Sequence, residues 1–172
     1  MPNSKSLLPL PPAGEGRGEG PTTSPTLKFI GRLRTPFPTL ADCPRNGRKL
    51  QPPPDCTAEI DPEFHEGLKD IESFSHLILL YWLGPQPPLL TIAPKFDGQP
   101  HGIFATRTPV RPNPIGLSVV SLQAVSPGRL HIRNLDCRDN TPLIDIKPYL
   151  PSTDLEPTAT MGWQEPHRTP RF

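Results

Sequence analysis

Proline limits this chain more than any other residue, because 28 of its 172 positions carry it. Inside a helix a proline removes a backbone hydrogen bond and drives its ring into the preceding turn. Prolines at this density exclude long helices and leave short extended segments joined by stiff loops. A chain of this length is one domain with room for tails, large enough to bury a single core without staples. The apolar segments agree with the proline pattern. Residues 77–83 (LILLYWL) are apolar on both faces and read as a central strand. Residues 117–125 (LSVVSLQAV) form the clearest strand by β-branched content. Residues 130–135 follow the Pro127-Gly128 turn, so the two segments are expected to pair as a hairpin. Residues 27–33, 102–107 (GIFATR) and 141–149 complete the set of expected strands, with Ile103, Ala105 and Arg107 on one face. Only residues 62–74 (PEFHEGLKDIESF) have room for a helical turn or two. Many short strands with proline- and glycine-rich connections indicate an all-β fold, a barrel or sandwich with at most one or two short helical turns.

Residues 1–26 are low in complexity and rich in proline, glycine and glutamate, so they are expected to form a disordered tail. The β domain is expected over residues 27–155, and a second tail over 156–172. Trp163 is expected to pin that second tail back onto the domain, since an indole gains more from burial than its neighbours do. The longest apolar run is far too short to span a bilayer. Prolines and glycines interrupt Leu7, Leu8 and Leu10 before they make the core of a signal peptide. The expected location is therefore the cytoplasm, with no membrane partner. Cys43, Cys56 and Cys137 are an odd number without a CxxC spacing, and the five histidines show no metal-ligand spacing. Neither a disulfide framework nor a metal site is expected.

The net charge of +1 names no partner, but the charges are unevenly placed. Residues 28–49 hold six bases and one acid, Asp42, whereas residues 55–72 hold seven acids and one base, Lys69. Residues 98–135 contain no acid, and Arg107, Arg111, Arg129 and Arg133 stand there unopposed. A partner bearing phosphate or carboxylate suits that stretch. The plainer alternative is a surface whose charges pair across the fold. On the first view the two basic stretches form one binding surface, and the acidic stretch lies away from it.

The densest chemistry lies in residues 102–118 (GIFATRTPVRPNPIGLS). Pro109, Pro112 and Pro114 each fix their own φ and push the preceding residue out of the helical region. Arg107, Arg111 and Asn113 therefore hang from a stiff backbone, which is how a site presents planar donors at little entropic cost. A second cluster is residues 135–149 (LDCRDNTPLIDIKPY). There Asp136, Asp139 and Asn140 make a turn before a strand in which Asp145 and Lys147 share a face. Those two either pair with each other or divide between cofactor and substrate. A third cluster, Pro44-Arg45-Asn46-Gly47, is a turn rich in hydrogen-bonding groups.

These segments resemble the TsaA-like, or TrmO, family, which carries a proline-arginine turn, a "GL…FSHL" segment, an "FATR-P-RPNPIGLS" segment and a "DGTP-DIKPY" segment in that order. Here they are residues 43–46, Gly67-Leu68 with residues 74–77, residues 104–118, and residues 139–149. The resemblance covers about residues 29–154. It implies a small β-barrel, usually dimeric, that binds S-adenosylmethionine and methylates N6 of the threonylcarbamoyl-adenosine beside the tRNA anticodon. It implies cofactor contacts at Arg45, Asn46, Gly47, Arg107, Leu117, Asn134, Leu135 and Asp136. One departure is Asn140 where the family has glycine, and asparagine tolerates the left-handed conformation such a turn needs. Another is length, since longer members carry a second C-terminal domain.

The implied reaction needs no metal and no covalent intermediate, because the sulfonium already activates the methyl group. The nucleophilic nitrogen must be aligned, and its proton must leave to a base. Asp136 and Asp145 are the candidate catalytic carboxylates. Arg111, Asn113 and Lys147 are the candidate substrate contacts, holding phosphates and the substrate's own carboxylate. Two other readings stand beside this one. One is a cofactor-binding module without tRNA methylation, and the other is a methyltransferase acting on a small molecule or protein.

Overall fold

In the computed structural model, residues 26–85 and 87–167 are described. The disordered tail expected over residues 1–26 lies, but for Thr26, outside them. Eight strands follow in order: β1 (Gly31–Arg34), β2 (Cys56–Ile60), β3 (His76–Trp82), β4 (Thr91–Ile92), β5 (His101–Gly102), β6 (Ile115–Ser126), β7 (Arg129–Arg133) and β8 (Thr141–Pro148). Six of them close into an antiparallel barrel in the order β1-β2-β7-β6-β3-β8, and β8 pairs back to β1. β4 and β5 form a separate two-stranded sheet. Among the described residues, helix is confined to one four-residue turn, α1 (Pro151–Asp154), and short 3-10 segments. None is long and apolar enough to cross a membrane. The fold is an all-β barrel, as the proline pattern requires.

The expected hairpin forms around Pro127-Gly128, with Ser126 opposite Arg129. β3 alternates buried Leu77, Leu79 and Tyr81 with half-buried neighbours, which is the period of a barrel wall. The core is completed by Leu33, Ala58, Val120, Leu130, Ile132 and Leu143, all buried from every side. A bulge interrupts the β3–β8 ladder: Tyr81 pairs with Leu143 and Leu80 with Asp145. The extra residue, Ile144, shifts the phase so that Ile146 returns to the core beside Leu79.

Three expectations are corrected. Residues 102–107 do not form a strand. Only His101–Gly102 is extended, and Ile103–Ala105 turns as a 3-10 segment. Ile103 and Thr106 are the buried pair, a spacing of three that matches 3-10 geometry, while Ala105 and Arg107 are exposed. Second, β2 lies inside what reads as an acidic stretch. Its Cys56, Ala58 and Ile60 point inward and its Glu59 outward, so the charge masked an alternating strand. Third, the arginines of the acid-free stretch are not all unopposed. Arg129 pairs with Glu59 at 3.3 Å and Arg133 with Asp55 at 2.7 Å. From the other basic stretch, Arg34 pairs with Glu59 at 2.8 Å and Lys28 with Glu63 at 3.0 Å. The acidic strand lies between the two basic ones, because β2 pairs with both β1 and β7.

Trp163 does tie the chain's end to the domain. Its Nε1 donates to the Ala105 carbonyl at 2.9 Å, and its ring stacks on His101 at 3.8 Å and Phe96 at 5.4 Å. Leu79→Ala is expected to lower unfolding stability by about 2–5 kcal/mol, the cost of a cavity in a closed core. Leu155→Ala, at a side chain 60% exposed, is expected to stay within about 0.5 kcal/mol. Urea unfolding of the two variants checks the contrast.

Candidate functional site

The barrel opens where β6 and β7 part. Their ladder begins only at Ser121 opposite Arg133, so the first residues of β6 have no β7 partner. Two guanidinium groups take the carbonyls left over on that side. Arg107 Nη2 donates to the Leu117 carbonyl at 3.1 Å, and Arg48 Nη2 to the Val119 carbonyl at 3.4 Å. β7 ends as Asn134 turns through a positive φ of 77° and releases residues 135–137 across the mouth. The Arg45–Gly47 turn packs against that run. A Cβ on Gly47 would lie 2.4 Å from the Leu135 carbonyl oxygen and 2.5 Å from that of Asn134, so only glycine fits there. Asn46 caps the 3-10 turn that follows, accepting from the Arg48 amide at 2.9 Å.

The interior of this end is polar. Tyr81, Ser118, Thr141, Cys56 and Cys137 are all buried. The Tyr81 hydroxyl donates to Asp136 Oδ1 at 3.1 Å, Ser118 Oγ donates to the same oxygen at 3.2 Å, and the two hydroxyls lie 2.9 Å apart. Asp136 Oδ2 has no partner among the described residues. Gly116 makes this arrangement possible, since a Cβ there would sit 2.1 Å from the Tyr81 ring. Burial, reinforced by the Asp136 carboxylate, raises the Tyr81 phenol above its ordinary value. Burial also pushes the Cys56 thiol up to about 11 and the Cys137 thiol up to about 12. The half-buried Cys43 thiol is raised by burial and then by Asp136 and Asp42.

The residues 135–140 are held in place from below. Thr35 donates its hydroxyl to the Cys137 carbonyl at 2.9 Å, and its amide donates to Asp139 Oδ1 at 3.0 Å. Thr141 donates its hydroxyl to the Arg138 carbonyl at 2.7 Å. Asn140 adopts a positive φ of 64°, the conformation its glycine-replacing position demands.

Of the residues singled out in the sequence, Arg45, Asn46, Gly47, Arg107, Leu117, Asn134, Leu135 and Asp136 all lie around this opening. Arg45, Arg48 and Arg107 form no ion pair among the described residues. Arg111 is partly engaged by its own loop. Its Nη1 donates to the Thr106 carbonyl at 2.7 Å, and its guanidinium lies 5.8 Å from the Phe104 ring centre. Asn113 is exposed on the same loop. Asp145 and Lys147 are not brought here. They pair with each other at 2.7 Å on the outer face of β8, opposite Leu80 and Ile78. Sequence reading passed over Tyr81, Ser118 and Arg48. Tyr81 sat in an apolar run and reads as core. The one signal available was a hydroxyl at the end of a strand, a group that seeks a partner when buried.

Comparison with known proteins gives consistent matches. Residues 32–155 match the family described as tRNA-methyltransferase O N-terminal domain. The probable S-adenosyl-L-methionine-binding protein VirR of Rhizobium radiobacter is 46% identical over 124 residues, covering 72% of this chain and 70% of that protein. The human tRNA (adenine(37)-N6)-methyltransferase is 35% identical over 112 residues, covering 60% of this chain and 25% of that protein. The crystal structure of TrmO from Pseudomonas aeruginosa superposes with a TM-score of 0.68 at 35% identity, covering 81% of this chain. The chain spans 62% of the length of that structure.

The buried thiols set an alkaline limit on stability. The unfolded chain loses the protons of Cys56 and Cys137 near their ordinary value of 9.0, whereas the folded chain keeps them to about 11 and about 12. In that window the native state binds more protons than the unfolded state, so raising the pH lowers stability. Urea midpoints measured between pH 8 and pH 11 are expected to fall, and to fall less steeply in Cys137→Ala.

Proposed function

Because this chain belongs to the tRNA-methyltransferase O N-terminal domain family, we propose that it is an S-adenosylmethionine-dependent methyltransferase acting on N6 of threonylcarbamoyl-adenosine beside the tRNA anticodon. The observation that carries the reading is the Asp136 carboxylate. Two buried hydroxyls orient one of its oxygens, and the other is unpaired at the rim of an arginine-lined opening.

The donor set suits the cofactor. Arg45 and Arg107 match an amino-acid carboxylate, Asp136 matches ribose hydroxyls or a cationic centre, and exposed Leu117 offers an apolar contact for a base. Asn46, Gly47, Asn134 and Leu135 complete the cradle with backbone and amide groups. When bound, S-adenosylmethionine supplies an already activated methyl group. The protein's own work is then positioning and proton removal. The stiff Pro109–Pro114 loop holds Arg107 against β6 with little freedom left to lose. Asp136, aimed by Tyr81 and Ser118, takes the proton that leaves N6 as the new N–C bond forms. Asp145, paired with Lys147 on the outer wall, is assigned no proton transfer in this scheme. Arg111 and Asn113 face the substrate from the rim of the loop.

The working unit is residues 27–155, and its place of action is the cytoplasm, where tRNA is used. The active form is a homodimer. Phe104, Ile115 and Leu117 are large apolar side chains left 77%, 40% and 45% exposed beside the opening. Such surface is what a symmetric partner covers. A sedimentation profile that stays monomeric at every concentration overturns the dimer.

The decisive assay is incubation with labelled S-adenosylmethionine and total tRNA from a strain lacking its own enzyme of this type. Label is expected in tRNA, and transfer should weaken as salt rises. Cofactor binding without transfer leaves the chain a binding module. Asp136→Asn is expected to lower the transfer rate by about 10²–10⁴-fold. Cofactor at about 100 times its dissociation constant should raise stability by roughly 2.7 kcal/mol in a melt. Arg107→Ala should abolish most of that gain. Arg129→Ala, which loses only an exposed pair with Glu59, should leave it unchanged.

A further inference from the structure

A second cavity lies on the outer wall of the barrel, between β1, the turn before β8 and the end of β3. It encloses about 460 Å³ and is lined by Arg32, Leu40, Trp82, Arg138, Asn140 and Pro142, among others. Its chemistry is one-sided. Arg32 and Arg138 form no hydrogen bond or ion pair through their guanidinium groups among the described residues. The Trp82 indole N–H is likewise unpaired, and no other aromatic ring stacks on it. No carboxylate lines the cavity. The acid nearest along the chain, Asp139, is already taken by the Thr35 amide at 3.0 Å and by Arg34 at 3.6 Å. The other cavity of similar size, around Phe64 and Leu68, mixes Glu63 and Asp145 with Lys69 and has no such bias.

We propose that this cavity holds a nucleotide of a single-stranded RNA loop, its base stacked on Trp82 and its phosphate held by Arg32 and Arg138. An open indole face accepts any base by stacking, and guanidinium groups suit phosphate better than ammonium groups do. RNA recognition favours single-stranded loops, whose bases are free to splay onto such platforms. The position fits a nucleotide next to the one that reacts. Arg138 follows Asp136 by two residues, and both act electrostatically on the same Cys43 thiol. The inference rests on the methyltransferase reading above and extends it from the reacting base to its neighbour in the loop.

The test uses the full chain with Trp163→Phe, which leaves Trp82 as the single tryptophan. The probe is a 17-nucleotide RNA hairpin with the sequence of an anticodon arm. Binding is expected to quench Trp82 fluorescence. Arg32→Gln with Arg138→Gln is expected to weaken hairpin affinity about tenfold and to flatten its salt dependence by about two units of slope, one per phosphate contact. The stability gain from S-adenosylmethionine should stay the same in that variant, which also shows that it folds. Trp82→Phe should retain most of the affinity and Trp82→Ala should not.

The outcomes separate the two claims. If the parent chain methylates tRNA, yet Trp82 stays silent and the double variant binds the hairpin normally, the cavity assignment is overturned and the methyltransferase reading stands. If adenosine monophosphate quenches Trp82 as tightly as the hairpin does, the cavity is a free-nucleotide site and the proposal also falls. If the parent chain neither binds the hairpin nor methylates tRNA, both readings fail together.

Discussion

The site depends on one interruption in hydrogen bonding. A six-stranded barrel satisfies its backbone by closing on itself, yet here β6 runs several residues past the start of the β7 ladder. The carbonyls of Leu117 and Val119 face a gap that no strand fills. Arg107 and Arg48, from two separate loops, satisfy them with guanidinium donors. Each guanidinium has five donors and spends only some on the backbone. The same residues that seal the barrel therefore bring positive charge and spare donors to its mouth. Closure and site construction are one event at this end of the molecule.

The two missing Cβ atoms around the gap are equally specific. Gly116 lets the Tyr81 ring lie flat across β6, and Gly47 lets a turn press on the carbonyls of Asn134 and Leu135. Without the first, the Tyr81 hydroxyl could not reach Ser118 and Asp136. Without the second, the Arg45–Gly47 turn would stand off from the run that carries Asp136. Neither glycine needs its freedom of φ for this. Each is required because another group occupies the space of its side chain.

Charge is sorted by pairing. β2 lies between β1 and β7, so its Glu59 meets Arg34 on one side and Arg129 on the other, while Asp55, just before the strand, meets Arg133. Such exposed pairs add little stability. Their effect is to remove those cations from the free positive field. The arginines left unpaired, among them Arg32, Arg45, Arg48, Arg107 and Arg138, surround the Asp136 end and its neighbouring cavity. A protein with a net charge of only +1 thereby presents a locally basic surface without a basic composition.

The sequence by itself determined the class of fold and most of the strand inventory. Proline density excluded long helices, and alternating apolar runs marked β3, β6, β7 and β8, because both signals are local. It also marked the segments that carry the site, since a stiff arginine-bearing loop and an Asp-Asn turn are legible in a few adjacent residues. What it could not determine was set by partners distant in the chain. β2 was hidden because its outward acids made an alternating strand look like a charged loop. Residues 102–107 read as a strand, but burial of Ile103 and Thr106 three apart turned them into a 3-10 segment. The grouping of Tyr81, Ser118 and Asp136 spans 55 residues of chain, and only barrel closure brings those three together. The separation of Asp145 from Asp136 was likewise decided in three dimensions. A side chain's face follows from strand register and a single bulge, and register is fixed by packing against neighbouring strands rather than by the residue's own neighbours in sequence.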